Sequence, residues 1–456
     1  MIDLLTIVLA AGQGTRMKSD LTKVLHRLGG KVMVQHVLDN VFCLSKQIVV
    51  VVGHQGEEVK STLDDERLEF VEQKEQLGTG HAVLQAREFI EDHQGPVLIL
   101  YGDIPLLTEQ TLKRLVTTWE RSGAGAAILT AFFDNPHGYG RIIRNNQEQI
   151  IRIVEEKDAS KEEKQIREIN SGVYCFNSKL LVKALDNLDN NNAQGEYYLT
   201  DAISYLQAKG EKIIPVVVED KEEILGINDR INLARAEKVI RRRINEDLMK
   251  EGVTIIDPET TYIDSRVEIG HDTVIYPFTF IEGNTRIGSH SIIGPYCRIV
   301  DVQIGNNVNL RANCHIIESI IEDETNIGPF VYIRPGCRIA REAKVGDFVE
   351  LKKATVGRKS KVPHLSYVGD AEIGEGTNIG AGTIFANYDG KHKHKSIVGN
   401  SAFIGSNTTL VAPVKVGDRG RTGAGAVVTR DVPEDVTVIG VPARIMKKKE
   451  GGIEDN

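Results

Sequence analysis

The spacing of apolar residues changes character near residue 250. Before that point, short and nearly continuous apolar runs (Leu4–Ala10, Ile48–Val52, Val97–Tyr101, Ala126–Thr130) alternate with stretches of helical periodicity. Strand-length runs with no polar face predict strands buried on both sides, hence a parallel sheet covered by helices in an open α/β domain. Ligands of such a sheet are expected beyond the C-terminal ends of its strands.

Residues 229–251 read as one helix, because Leu233, Ala236, Ile240, Ile244 and Leu248 form a single apolar stripe. Asn228 or Asp229 can cap its start, and Gly252 stands where a left-handed residue ends a helix. Arg241, Arg242 and Arg243 are expected on its solvent side. From Ile263 a six-residue period takes over, through Ile269, Ile275, Ile281, Ile287, Ile293 and Ile299. It slips by one residue to Ile304, Leu310 and Ile316, and again to Ile321, Ile327, Ile333, Ile339, Val345 and Leu351. Further slips lead to Val356, Val362 and Val368, then Ile373 and Ile379. An insertion follows before Val398, Ile404, Leu410, Val416 and Val428. Period six is neither helical nor a simple alternation. It predicts a solenoid in which each hexapeptide supplies a short strand, a turn and one inward aliphatic side chain, a parallel β-helix. The expected organisation is an α/β domain over 1–228, a linker helix over 229–251 and a β-helix over 252–456, ending in a polar tail.

Composition narrows the function classes. With 41% hydrophobic and 26% charged residues the chain is an ordinary globular protein. No apolar run approaches the ~20 residues of a membrane span, and Met1-Ile2-Asp3 does not open like a signal peptide. A cytoplasmic protein without membrane partners is expected. Five widely spaced cysteines argue against disulfides or a thiolate metal site and are expected as small buried hydrophobes. A net charge of −8 disfavours nucleic acid as a partner.

The first apolar run ends in Leu9-Ala10-Ala11-Gly12-Gln13-Gly14-Thr15-Arg16-Met17, with Lys23 six residues on. Glycines after a strand let backbone N–H groups approach phosphate oxygens. The stretch is neither a Walker A loop nor a dinucleotide fingerprint. It resembles the signature of the sugar-nucleotide pyrophosphorylases, which have a Rossmann-like nucleotidyltransferase fold. Gln73, Gln76-Leu77-Gly78-Thr79-Gly80, Tyr101-Gly102-Asp103, Gly138-Tyr139-Gly140-Arg141, Val154-Glu155, Asn170-Ser171-Gly172 and Gly226-Ile227-Asn228 extend the likeness. The resemblance implies a UTP site of Leu9, Ala10, Ala11, Gly12, Lys23, Gln73, Gly78, Thr79, Tyr101, Gly102 and Asp103. It implies Mg²⁺ on Asp103 and Asn228, and Arg16 and Lys23 on the departing pyrophosphate. Gly140, Glu155, Asn170 and Asn228 would bind N-acetylglucosamine 1-phosphate.

The β-helical half carries residues that a scaffold does not require: Arg334, Glu350, Lys352, His364-Leu365-Ser366-Tyr367, Asn378 and Asn387-Tyr388-Asp389-Gly390. The six-residue period resembles the left-handed β-helix of the hexapeptide acyltransferases, and with these residues the whole chain is similar to the bifunctional uridyltransferase–acetyltransferase family. Handedness comes from that likeness, since general crossover preference suggests the opposite. The likeness implies His364 as general base toward acetyl-CoA, oriented by Glu350, a task suited to imidazole at neutral pH. It implies Arg334, Lys352, Tyr367 and Asn378 on glucosamine 1-phosphate, with Asn387 near the sugar ring. Ala381, Asn387, Tyr388, Ser406 and Ala424 would face acetyl-CoA, the N–H near Ala381 stabilising the oxyanion. Homotrimers that share acetyl-transfer sites are also implied. His271, His290, His315, His392 and His394 are read as solvated, and the Lys-His run at 391–395 as an exposed loop.

Two departures stand out. Thr422 fills an inward position, where an unpaired hydroxyl would cost about 1–3 kcal/mol and loosen the coil. The alternative reading gives Arg419 and Arg421 to the coenzyme phosphates. The likeness also implies, in some members, a coenzyme-binding arginine near position 441; here the stretch is Ile439-Gly440-Val441-Pro442-Ala443, with Arg444 the nearest cation. The competing reading is a monofunctional sugar-1-phosphate nucleotidyltransferase whose β-helix only oligomerises or senses an effector, as in ADP-glucose and GDP-mannose pyrophosphorylases. A non-catalytic assembly subunit is a further alternative.

Overall fold

The computed structural model describes residues 3–53 and 55–446, so the tail expected at 447–456 lies outside the described residues. The chain forms two compact units, residues 1–240 and 241–456. Among the described residues no helix is long and apolar enough to cross a membrane.

In the first unit the predicted apolar runs become the centre of a twisted sheet. Its order is Ile213–Val217, Ala126–Phe132, Glu168–Asn177, Pro96–Tyr101, Leu5–Ala10, Gln47–Val52 and Leu68–Glu72. Successive residues of the central strands feed opposite cores. Val8, Val50 and Leu98 pack on one face, and Ile7, Val49 and Ile99 on the other. This two-sided burial is why the runs lack a polar face. One strand departs from the parallel expectation, since Glu168–Asn177 runs antiparallel to both neighbours. The chain reaches it through the hairpin Arg141–Arg144 and Ile150–Val154, without the helical crossover that parallel return requires.

In the second unit coils pair with the next at a spacing of 18 residues, or 17 at a phase slip, rising to 25 across the insertion and falling to 16 at the last coil. Ile263 meets Ile281, Ile281 meets Ile299, Ile299 meets Ile316, and the column continues through Ile333, Leu351 and Val368. All strands of the inward series are parallel and curl into a prism consistent with the left-handed β-helix, and the inward aliphatics are buried in one core. Phe385, fully buried, continues the period at a position the aliphatic series had left blank. Corners take left-handed backbone at polar residues, as at Asp272, Asn307 and Glu324 (φ 58°, 55° and 61°). A second buried column of hydroxyls closes the coils. Thr273 donates to the Gly288 carbonyl (2.8 Å) and Thr377 to the Gly399 carbonyl (2.7 Å).

Thr422 belongs to that hydroxyl chemistry, which corrects the expectation of a loosened coil. Its Oγ1 accepts from the Gly405 N–H (2.9 Å) and lies 2.9 Å from Thr408 Oγ1, so the buried hydroxyl is satisfied. Arg419 nearby is engaged by Asp435 at 2.7 Å. The insertion at 391–395 is exposed, as expected, and is held by turn hydrogen bonds. Tyr388 pairs with Lys393, and Asp389 accepts from the N–H groups of Lys391 (2.8 Å) and His392 (2.7 Å).

The helix is Arg230–Lys250, with Asp229 accepting from the Asn232 N–H (2.8 Å) and Gly252 at φ 94°. Arg241 does not simply face solvent, because its guanidinium lies 4.2 Å over the Tyr262 ring. All five cysteines are free; Cys43 is exposed, against expectation, and the other four are buried.

Candidate functional site

The strand Leu5–Ala10 delivers the glycine loop to the C-terminal edge of the sheet, beside the end of Pro96–Tyr101. There a cavity of about 510 Å³ is lined by Leu9, Ala10, Ala11, Gly12, Lys23, Gln73, Gly78, Thr79, Tyr101 and Asp103. Every residue of the expected UTP set faces it except Gly102, whose N–H is used on the Leu9 carbonyl (2.9 Å). Gln13, Gly14, Thr15 and Gln76, all within the sequence motifs, also line it, as does Glu196, which the sequence had not singled out. Gln76 bonds the Ala11 carbonyl (3.0 Å) and so ties the glycine loop to the Gln73–Gly78 segment. Lys23 Nζ lies 2.5 Å from Asp103 Oδ2 and 3.4 Å from Asn228 Oδ1, gathering three predicted residues from distant parts of the chain. Arg16 is exposed on the turn Thr15–Met17 and does not line the cavity.

A second cluster adjoins Tyr101. Gly140 borders Ile153, Asn170 and Glu155: a Cβ there would crowd Ile153 (3.2 Å) and meet Asn170 and Glu155 at ordinary contact distance. The Asn170 amide is committed to Tyr174 Oη (2.6 Å), and its carbonyl oxygen accepts from the Gly172 N–H (3.1 Å). Burial pushes the Glu155 carboxyl up, against a bond from Thr200, with Asp158, Asp201 and Glu196 adding repulsion. Burial, then Glu155, likewise raises the Tyr101 phenol. Arg141, almost wholly buried, holds the Tyr139 carbonyl and Glu156 (2.8 Å), fixing the loop that contains Gly140.

In the β-helix two groups flank one corner, three residues apart on each coil. Arg334 Nη1 pairs with Glu350 Oε1 at 3.0 Å, and Glu350 stands opposite Tyr367 in register. Asn387 donates to Asp370 (2.5 Å) and lies 3.4 Å from Tyr367 Oη, while Lys352 is 3.9 Å from Asp370. The nearby Lys393 amine, then burial, lowers the Lys352 pKa. Around the corner, His364 Nδ1 lies 2.6 Å from Asp347 Oδ1. This corrects the expected partner. Glu350 is held by Arg334, and strand register puts Asp347 directly opposite His364. Below His364 the corner continues coil by coil. Gly382 N–H donates to the His364 carbonyl, Asn407 N–H to Ala381, and Gly425 N–H to Ser406. Ala381, Ser406 and Ala424 thus border one row of corners. Tyr388 is exposed in the insertion. Asn378 pairs with Lys361 on a different strand from Tyr367, so one chain does not bring it to the Tyr367 cluster.

Family models match the two units separately, a MobA-like NTP transferase domain over residues 6–194 and a GMPPB C-terminal domain over residues 257–359. Three relatives, each called bifunctional protein GlmU, align over nearly everything. That of Carboxydothermus hydrogenoformans is 51% identical over 443 residues, covering 97% of this chain and 98% of its own. That of Heliobacterium modesticaldum is 51% identical over 445 residues (97% and 96%), and that of Acetivibrio thermocellus 50% over 432 residues (94% and 93%). The chain belongs to the bifunctional GlmU family. It is accordingly one enzyme with uridyltransferase and acetyltransferase activities, and the monofunctional reading falls away.

Metal donors differ between the two halves. Asp103 and Asn228 offer hard oxygen atoms around one point already approached by a cation, the Lys23 ammonium. The other convergent set among the described residues is His271, Asp272 and His290, all exposed, with His271 Nδ1 2.8 Å from Asp272 Oδ2. Those histidines are exposed, as expected, and their rings meet edge to face (5.1 Å); imidazole donors do not suit magnesium.

Proposed function

We propose that this chain makes UDP-N-acetylglucosamine by two transfers at separate sites. At the β-helix corner the amine of glucosamine 1-phosphate adds to the acetyl-CoA carbonyl. Its proton passes to His364 Nε2, the C–S bond breaks, and the coenzyme thiolate recovers the proton. Arg334, Lys352, Tyr367 and Asn387 hold the sugar phosphate, while Ala381, Ser406 and Ala424 border the coenzyme. At the sheet edge a 1-phosphate oxygen of N-acetylglucosamine 1-phosphate attacks the α-phosphorus of UTP, and the bond to the β-phosphate breaks to release pyrophosphate.

In the second transfer the glycine loop cradles phosphate through backbone N–H groups, and Gln73, Gly78 and Thr79 face the base. Glu155, Gly140 and Asn170, which lie together beyond Tyr101, would line the N-acetyl sugar pocket. The all-oxygen pair Asp103 and Asn228 fits Mg²⁺, which when bound offsets phosphate charge. Lys23, freed from Asp103, would then swing to the phosphates, with Arg16 from the exposed turn.

Asn378 and Tyr367 can serve one sugar only if they come from neighbouring copies, which supports the homotrimer implied by family likeness. Exposed aromatic stacks on the prism, such as Phe330 with Phe348 (5.2 Å) and Phe278 with Tyr296 (5.0 Å), suit such contacts. A cytoplasmic location fits these substrates. The observation that carries the proposal is the two separate constellations, Lys23–Asp103–Asn228 and His364 with its corner row. The test measures coenzyme A thiol release and pyrophosphate release in His364→Ala and Asp103→Asn. Each variant should lose one activity and keep the other; joint loss from well-folded protein would overturn the two-site reading.

A further inference from the structure

We propose that Asp347 is the positioning residue for acetyl transfer, holding His364 in the one tautomer that can act as base. This deepens the proposed function and rests on its assignment of His364. The two side chains come from adjacent coils in direct register, Lys344–Asp347 against Lys361–His364, at Nδ1···Oδ1 2.6 Å. A carboxylate can only accept, so this contact places the imidazole proton on Nδ1 and leaves the Nε2 lone pair bare. Nε2 is then the atom that must take the proton from the attacking amine, and the carboxylate stabilises the imidazolium that forms.

The chain itself limits the alternatives. Glu350, the partner expected from the sequence, is bound to Arg334. Asp347 is available because its own backbone N–H, then His364, hold its carboxyl below the ordinary range. Both side chains are substantially exposed (39% and 52%), so ring orientation is not enforced by burial and depends on this bond. Exposure also makes a folding defect on substitution avoidable.

The experiment compares Asp347→Asn, Asp347→Ala and His364→Ala in the full chain. Asparagine is nearly isosteric, yet its amide can donate to Nδ1 and stabilise the opposite tautomer, with the proton on Nε2. Asp347→Asn is therefore expected to lower kcat for coenzyme A release by about 10²-fold or more. KM for both substrates should stay within about twofold, and uridyl transfer should be unchanged. Nitrogen-15 imidazole spectra at alkaline pH should show Nδ1–H for His364 in wild type and a shift toward Nε2–H in Asp347→Asn. Unchanged kcat or an unchanged His364 tautomer in that variant overturns the inference while leaving His364 as base. Retained thiol release in His364→Ala overturns the assignment of the base, and the inference with it.

Discussion

Lys23 Nζ sits 2.5 Å from Asp103 Oδ2, and both side chains are mostly shielded (12% and 17% exposed). This pair joins the glycine-loop turn to the end of the strand Pro96–Tyr101. Lys23→Ala removes the cation meant for phosphate and leaves Asp103 without its partner. Uridyl transfer should fall by about 10²–10³-fold, as when one preorganised charge-stabilising group is lost. Thiol release from acetyl-CoA should be unaffected, and a paired assay of both products checks it.

Gly172 touches the same site by having no side chain. It lies at φ 80° in the strand Glu168–Asn177, where a Cβ would run into the Tyr101 ring. Gly172→Ala is expected to cost about 1–3 kcal/mol from backbone strain alone. It should also displace Tyr101 from the cavity wall, raising KM for N-acetylglucosamine 1-phosphate. Denaturant unfolding and uridyltransferase kinetics measure the two effects separately.

Much of this organisation was legible in the sequence because a single period forces a single geometry. An aliphatic residue every six positions has no use except in stacked coils, and the whole column from Ile263 to Val428 is buried. The glycine loop was readable because its residue types have a backbone task. What local pattern could not show were contacts made between coils. Asp347 precedes His364 by 17 residues, the length of a coil that contains one slip, and the Leu351 to Val356 interval marks that slip. Counting coil length in place of sequence neighbourhood would have favoured Asp347 over Glu350. The partner of Thr422 was hidden for the same reason, since Thr408 and Gly405 lie in the preceding coil. The antiparallel strand Glu168–Asn177 is buried like its parallel neighbours but mixes Glu168, Asn170 and Ser171 with apolar residues, so no continuous apolar run marked it and composition carried no sign of its direction.

Thr422→Val should therefore be mildly destabilising. Valine keeps the volume but removes a hydroxyl that accepts from Gly405 and meets Thr408. Gly405 N–H retains the Thr422 carbonyl (3.1 Å) and Thr408 retains the Gly405 carbonyl (2.7 Å), so neither is orphaned. The expected loss is about 0.5–1.5 kcal/mol. Chemical denaturation followed by the β-helix signal tests it; a loss above about 3 kcal/mol would mean the hydroxyl has a further role.

Asp201 offers a pH signature. It opens the helix Asp201–Ala208, where the positive helix end favours a carboxylate, yet burial and then Asp189 and Asp158 push its pKa up to about 6. Because the folded value lies above the ordinary 3.8, the native state binds the proton more tightly than the unfolded chain does. Its stabilising contribution is complete below about pH 4 and is lost as pH rises through about 6. Asp201→Asn, which cannot ionise, should match wild-type Tm near pH 4 and exceed it by about a few degrees at pH 8. Melting curves across that range decide the point, since a difference that stays flat with pH would show that Asp201 is charged throughout.

Glu350→Gln separates holding the sugar phosphate from moving the proton. Glu350 anchors Arg334 at 3.0 Å and stands opposite Tyr367, whereas His364 has Asp347 as its partner. Glutamine keeps one acceptor for Arg334 but removes the charge that fixes the guanidinium. An exposed pair of this kind contributes only about 0–1 kcal/mol to folding, so the fold should be indifferent. KM for glucosamine 1-phosphate is expected to rise several-fold with kcat changed by less than about threefold, the mark of lost uniform binding. A collapse in kcat at unchanged KM would instead place Glu350 in the proton transfer, and would mean that the arrangement with substrate bound differs from the pairing seen here.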